Sequence, residues 1–142
     1  ANKTVKNFLN YVDKKHYDGT VFHRIISNFM IQGGRFTPDG EQKPVDDPIK
    51  LESNNGLKND EGTIAMARTN IPDSATSQFF INVKDNDLLN YAPGNDGYAV
   101  FGKVISGMEV VNEIKAVNTG MKFGMQDWPT EDVVITKVYL KE

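Results

Sequence analysis

The sequence predicts a mainly β fold, an antiparallel sheet closed, or partly open, as a barrel with two α-helices over its open ends. Three observations lead there. Short β-branched and aromatic runs recur between turn residues from Val21 to Leu140. Only two segments carry helical periodicity, one at the start and one after Gly107. The resulting order of helix, several strands, helix and strand lacks the β-α alternation of a parallel sheet.

Val5, Phe8, Leu9 and Val12 recur at i, i+3, i+4 and i+7, with Lys3, Lys6, Asn7, Asn10 and Asp13 on the other faces, so the first element is an amphipathic helix. Asp18-Gly19 turns the chain into a strand over residues 21–26, and Ser27-Asn28 turns it again into residues 29–32, which stop at Gly33-Gly34. Residues 35–62 are rich in Asp, Asn, Pro and Gly, and Pro38, Pro44 and Pro48 deny them long helices or central strands. This is a long functional loop within one domain spanning residues 1–142, because the apolar segments on either side are each too short to form a core. Residues 63–68 form a strand in which alanines alternate with larger groups, implying close approach of another surface. Further strands are expected over residues 78–83, 98–105 and 133–140. Residues 84–97 read as a loop. Met108, Val111, Ile114 and Lys115 stand at helical spacing after Gly107, and Trp128 falls in the loop that follows.

Composition excludes several kinds of function. Lys and Arg number 16 against 19 Asp and Glu, a net charge of −3, which is the opposite of a phosphate-binding footprint, so no nucleic-acid partner is expected. No apolar run approaches the roughly 20 residues that cross a bilayer, so no membrane association is expected. With no cysteine there is no thiolate metal site, disulfide framework or cysteine nucleophile. His16 and His23 do not form a helical i, i+4 pair or join a carboxylate cluster, so no metal is expected. No serine sits in a Gly-x-Ser-x-Gly elbow, and Gly33-Gly34 lacks the spacing of a phosphate loop. Neither covalent nor metal-dependent catalysis is expected, and no cofactor.

What remains is polar residues set among aromatic ones: Arg24 beside Phe22, Gln32 after Phe29-Met30, and Gln78 before Phe79-Phe80. Taken singly, each reads as ordinary alternation with the polar group toward solvent. Three of them in strands flanked by long polar loops point to an apolar pocket with a few convergent polar groups.

The segment Phe22-His23-Arg24-Ile25-Ile26-Ser27-Asn28-Phe29-Met30-Ile31-Gln32-Gly33-Gly34 resembles the signature of the cyclophilins. Gly62-Thr63-Ile64-Ala65-Met66-Ala67-Arg68, Ser77-Gln78-Phe79-Phe80-Ile81-Asn82 and Val100-Phe101-Gly102-Lys103-Val104 resemble that family's next three blocks in the same order. The likeness runs from the first helix to the last strand. Its loops look most like the bacterial cytoplasmic type, including Gly124-Met125-Gln126-Asp127.

The resemblance implies an eight-stranded antiparallel barrel capped by two helices and a peptidyl-prolyl cis-trans isomerase that acts on X-Pro peptides and unfolded proteins in the cytoplasm. By motif position it makes Arg24 the catalytic arginine, and Phe29, Met30, Phe80 and Leu89 the walls of a proline pocket. Gln32 would orient the substrate carbonyl and the arginine, Ala67, Arg68 and Thr69 would pair their backbone with the peptide, and Gln78 would be a further groove residue. Tyr98 falls where many eukaryotic members carry histidine. Leu88 falls where sensitive members carry the tryptophan that contacts cyclosporin, and Trp128 does not replace it, so weak cyclosporin binding is expected. His23 reads as a structural, hydrogen-bonded histidine, because the reaction moves no proton. Family members begin with two strands ahead of the helix. The present sequence starts at the helix, so a barrel with unpaired edges is expected. On that account the competing reading is a proline-peptide binding or chaperone-like module with little turnover.

Overall fold

The computed structural model describes residues 2–141. Helix α1 (Asn2–Asp13) turns Tyr11 and Val12 into the core, with Phe8 packed against them. Its first turn holds no acidic residue, and a loop supplies one: the Glu52 carboxylate accepts from Thr4 N and Thr4 Oγ1, both at 2.6 Å, and from Lys3 N at 3.3 Å. A carboxylate there satisfies exposed backbone donors and meets the positive end of the helix. Burial acts to raise the pKa of Glu52, but these hydrogen bonds outweigh it and hold the carboxyl below its usual value.

Six strands form one antiparallel sheet: β1 (Thr20–Ile26), β2 (Met30–Gly33), β3 (Thr63–Met66), β4 (Phe79–Asn82), β5 (Val100–Lys103) and β8 (Val134–Ile135). Their spatial order is β5-β3-β4-β2-β1-β8. Helix α2 (Met108–Lys115) follows β5, and β6 (Thr119–Lys122) pairs with β7 (Met125–Pro129) in a separate hairpin. Among the described residues no pairing closes the sheet on itself, and β5 and β8 are its edges.

Register divides the residues between two faces. Ile25 pairs with Ile31, Ile31 with Ile81 and Ile81 with Ile64, so four isoleucines cross four strands in a row. That row meets Tyr11, Tyr17, Phe22 and Phe79 in the main core. The next row is Arg24, Gln32, Phe80, Ala65 and Val100, again paired strand to strand, and it lies on the other face.

A β-bulge sets this arrangement. Phe22 pairs with Gly33 but Arg24 pairs with Gln32, so β1 spends two steps where β2 spends one. Strict alternation would put Arg24 on the same face as Phe22. The extra residue reverses the phase, so Phe22 and Ile25 both enter the core and Arg24 points out to the second face.

Several expected elements are shorter than the sequence patterns indicate. The 63–68 strand ends at Met66, the 98–105 strand spans Val100–Lys103, and the 133–140 strand is reduced to Val134–Ile135. Past Ile135 no strand among the described residues offers a ladder, and Tyr139 and Leu140 are exposed. The loop expected over 84–97 contains a short 3-10 helix, Asp87–Leu89.

Trp128 is not a loop residue. It sits on β7 and is buried against Val21 and Phe36 in a third apolar cluster. The hairpin that carries it turns at Phe123 and Gly124, whose φ values of 52° and 76° make a two-residue turn with both centres left-handed. Phenylalanine is a poor sequence signal for that turn. It is held there because its ring lies over Gly40, where even a Cβ would come within 2.6 Å, and meets Trp128 edge-on at 5.1 Å.

Candidate active site

On the outward face, Met30, Ala65, Ala67, Phe80 and Val100 form a second cluster, with Ile26, Phe29, Leu89 and Tyr98 packed around it. A groove of about 260 Å3 opens over it, lined by Arg24, Phe29, Met30, Gln32, Ala67, Arg68, Phe80, Leu89 and Tyr98. Nine of the twelve residues singled out in the sequence therefore meet in one concavity. Its size suits a single ring with its amide; drug-sized sites run from about 300 to 1,000 Å3.

The polar side of the groove is a chain of side chains. Arg24 Nη1 donates to Gln32 Oε1 at 3.2 Å, and Gln32 Nε2 donates to Gln78 Oε1 at 2.9 Å. Gln32 is held at both ends, which fixes the guanidinium while leaving its other N–H groups without a partner among the described residues. Arg68 donates to Thr69 O at 2.9 Å and to Gly97 O, and its guanidinium lies 4.4 Å from the centre of the Tyr98 ring. Tyr98 meets Phe80 edge-on at 5.7 Å. The left-handed turn that delivers Tyr98 requires Gly97, with φ 67° and Tyr91 N only 2.5 Å from where a Cβ would stand.

The other three expected residues lie outside this groove. Gln78 and Thr69 line an adjoining concavity. Thr69 follows the end of β3, and its N–H and hydroxyl are taken by Ser74 Oγ at 3.0 and 2.9 Å. Leu88 is 89% exposed and borders a different depression beside Asn28, Phe29 and Asn86. A 3-10 helix turns each residue by about a third of a circle, so Leu89 can face the groove only with Leu88 facing away.

His23 differs from the expectation of a hydrogen-bonded histidine. Its Nδ1 is buried with no partner, and the ring packs 4.5 Å from Phe36 and 5.7 Å from Trp128. Burial, reinforced by the adjacent Arg24 charge, pushes its pKa down to about 4. The bulge that turns Arg24 outward leaves His23 on an aromatic wall.

Three asparagines that the sequence reading passed over hold the apolar rim. Asn82 Nδ2 donates to Asn59 Oδ1 at 3.0 Å and to Thr63 Oγ1 at 2.9 Å, and its Oδ1 accepts from Asn86 Nδ2 at 2.8 Å. Asn86 also donates to Phe29 O at 2.8 Å, and Asn59 to Leu89 O at 3.0 Å. The network thus fixes two groove walls, Phe29 and Leu89, through their backbones. Only the run of polar residues closing an apolar strand, Asn82 after Ile81, hinted at it.

An apolar groove of this size, edged by the Arg24 guanidinium and built on an antiparallel sheet with two helices, is a concavity suited to a small apolar group. Comparison with known proteins gives the particular family. Residues 1–140 match the family of cyclophilin type peptidyl-prolyl cis-trans isomerase/CLD, and the chain belongs to it. It is 61% identical over 138 residues to the peptidyl-prolyl cis-trans isomerase cyp18 of Streptomyces antibioticus, covering 95% of this chain and 83% of that protein. It is 54% identical over 145 residues to peptidyl-prolyl cis-trans isomerase B of Escherichia coli K12, covering 100% of this chain and 88% of that one. A solved cyclophilin type isomerase from Cryptosporidium parvum, studied in the presence of the dipeptide Ala-Pro, superposes with a TM-score of 0.83 at 29% identity, covering 99% of this chain and 86% of that one. The activity is peptidyl-prolyl cis-trans isomerisation on proline-containing peptides. No helix among the described residues is long and apolar enough to cross a membrane.

Proposed function

We propose that Arg24 is the catalytic residue and that Phe29, Met30, Phe80 and Leu89 form the proline pocket. The observation that carries this reading is the Arg24–Gln32–Gln78 chain, which holds a permanent charge with free donors beside an apolar groove. Rotation about an X-Pro bond meets a barrier of roughly 20 kcal/mol because amide resonance is lost on the way. No bond breaks, so no nucleophile or metal is called for. In the twisted state the prolyl nitrogen regains its lone pair, and a donor aimed at it stabilises that state above either planar one. Arginine suits the task, being rigidly forked and always charged.

One charge-assisted hydrogen bond of roughly 1.5–3 kcal/mol accelerates the reaction by about tenfold to a hundredfold. The remainder falls to the apolar walls, which strip water from the amide, and to residues that clamp the peptide on one side of the rotating bond. In this reading Gln32 orients Arg24, Ala67, Arg68 and Thr69 meet the peptide backbone, Gln78 anchors Gln32, and Tyr98 closes the far wall. Leu88, exposed and with no side-chain N–H donor, gives cyclosporin only a weak hold. Unfolded proteins are the natural substrates, and the cytoplasm is the compartment.

Arg24→Ala is expected to lower turnover in a protease-free NMR exchange assay by about tenfold or more, while titration still registers peptide binding. Near-normal turnover in the folded variant would remove Arg24 from the mechanism. Binding without turnover in the unaltered protein would favour a peptide-holding module instead.

A further inference from the structure

His23 occupies the bulge of β1 and has no partner in β2, since Phe22 pairs with Gly33 and Arg24 with Gln32. A residue that drops out of the ladder loses the cross-strand bonds that would otherwise fix its direction. Its side chain makes up for them. The imidazole is buried, its Nδ1 takes no hydrogen bond, and it packs against two aromatic rings, Phe36 at 4.5 Å and Trp128 at 5.7 Å. Contact with those rings places it.

The two rings do not hold it in the same way. Phe36 is fastened to β1 itself, because Val21 N donates to Phe36 O at 2.9 Å, so it moves with the strand. Trp128 comes from β7, far along the chain. Its backbone pairs with Gly120 of β6, its ring meets Phe123 edge-on at 5.1 Å, and it also packs on Val21 just ahead of the bulge. Trp128 is therefore the fixed point against which the bulge is located.

Arg24 follows His23 directly and is exposed, with one side-chain hydrogen bond, from Nη1 to Gln32 Oε1 at 3.2 Å. One bond at the tip of a long side chain does not set the direction in which that side chain leaves the strand; the backbone at the bulge does. We propose that Trp128 is a positioning residue for the isomerisation, holding the His23 bulge and through it aiming Arg24 at the groove. The proposal rests on the reading of Arg24 as the catalytic group. The apolar walls do not depend on Trp128: Phe29 and Leu89 are held by Asn86 and Asn59, and Met30 and Phe80 by the ladder between β2 and β4. Loss of Trp128 therefore disturbs the transition state, which Arg24 serves, and spares the seating of the proline.

Trp128→Leu keeps an apolar side chain but removes the ring. Its kcat, per molecule able to bind a short X-Pro peptide, is expected to fall by about threefold to tenfold, part of what loss of Arg24 itself costs, while the peptide Kd stays within about twofold. Trp128→Phe, which returns a ring to the wall, recovers most of the loss. In an Arg24→Ala background, Trp128→Leu should change kcat no further, since no guanidinium is left to aim. A purely structural role would instead lower the fraction folded and leave kcat per binding-competent molecule alone. Should Trp128→Leu fail to fold, Phe36→Leu removes the other ring of the same wall and enters the same cycle. Unaltered kcat in Trp128→Leu, a loss carried by Kd, or an equal loss with and without Arg24 overturns the positioning role alone. Near-normal turnover in Arg24→Ala overturns the catalytic reading and the positioning role with it.

Discussion

Arg24 and His23 are neighbours whose fates are decided by one inserted residue. The bulge sends the guanidinium out to the groove and leaves the imidazole against Phe36 and Trp128, where only the neutral ring is tolerated. In the fold His23 takes its proton near pH 4, whereas in the unfolded chain it does so near the ordinary value of 6.5. Between those values the unfolded chain holds more protons, so stability rises with pH across that window and no longer depends on this group above it. His16, also pushed down by burial, acts in the same direction. Replacing His23 with Phe, which keeps an aromatic ring on the wall, is expected to reduce the stability difference between about pH 5 and pH 7.5 by about 2 kcal/mol. Urea midpoints at the two pH values measure it, and an unchanged difference would mean the ring is not neutral in the fold.

Among the elements, the short 3-10 helix and the turn before β2 have little cohesion of their own; the asparagine network supplies it. Asn82 is fully buried and joins the start of β3, the loop at Asn59 and the loop at Asn86. Truncation leaves donors and acceptors unanswered in a dry site, each worth about 1–3 kcal/mol. Asn82→Ala is therefore expected to lower stability by about 2–4 kcal/mol and to raise KM several-fold, because Phe29 and Leu89 lose their backbone anchors. Urea unfolding and peptide titration read the two effects separately, and a folded variant with unaltered KM would show that the walls stand without the network.

At the scale of the whole molecule, the sheet carries one core on its inner face and the groove on its outer face. The two faces share one sheet, so packing lost from the inner core loosens the groove walls as well.

The sequence by itself determined the elements whose signals are local. Helix α1 follows from the spacing of Val5, Phe8, Leu9 and Val12, and strands β1 to β5 follow from branched and aromatic runs between turn residues. The local pattern of polar groups among aromatic ones marked only Arg24, Gln32 and Gln78, and the nine residues that line the groove were marked by the resemblance of whole motifs to the cyclophilins. Tertiary structure decided the rest, since it depends on partners distant in the chain. Phe123 adopts a left-handed turn because Gly40 and Trp128 receive its ring, and residues 136–140 form no strand, with none beside them among the described residues. Leu89 faces the groove and Leu88 does not because Asn59 and Asn86 fix the 3-10 helix. Arg24 reaches the groove because a bulge, visible only in the pairing of β1 with β2, reverses the side on which its side chain emerges.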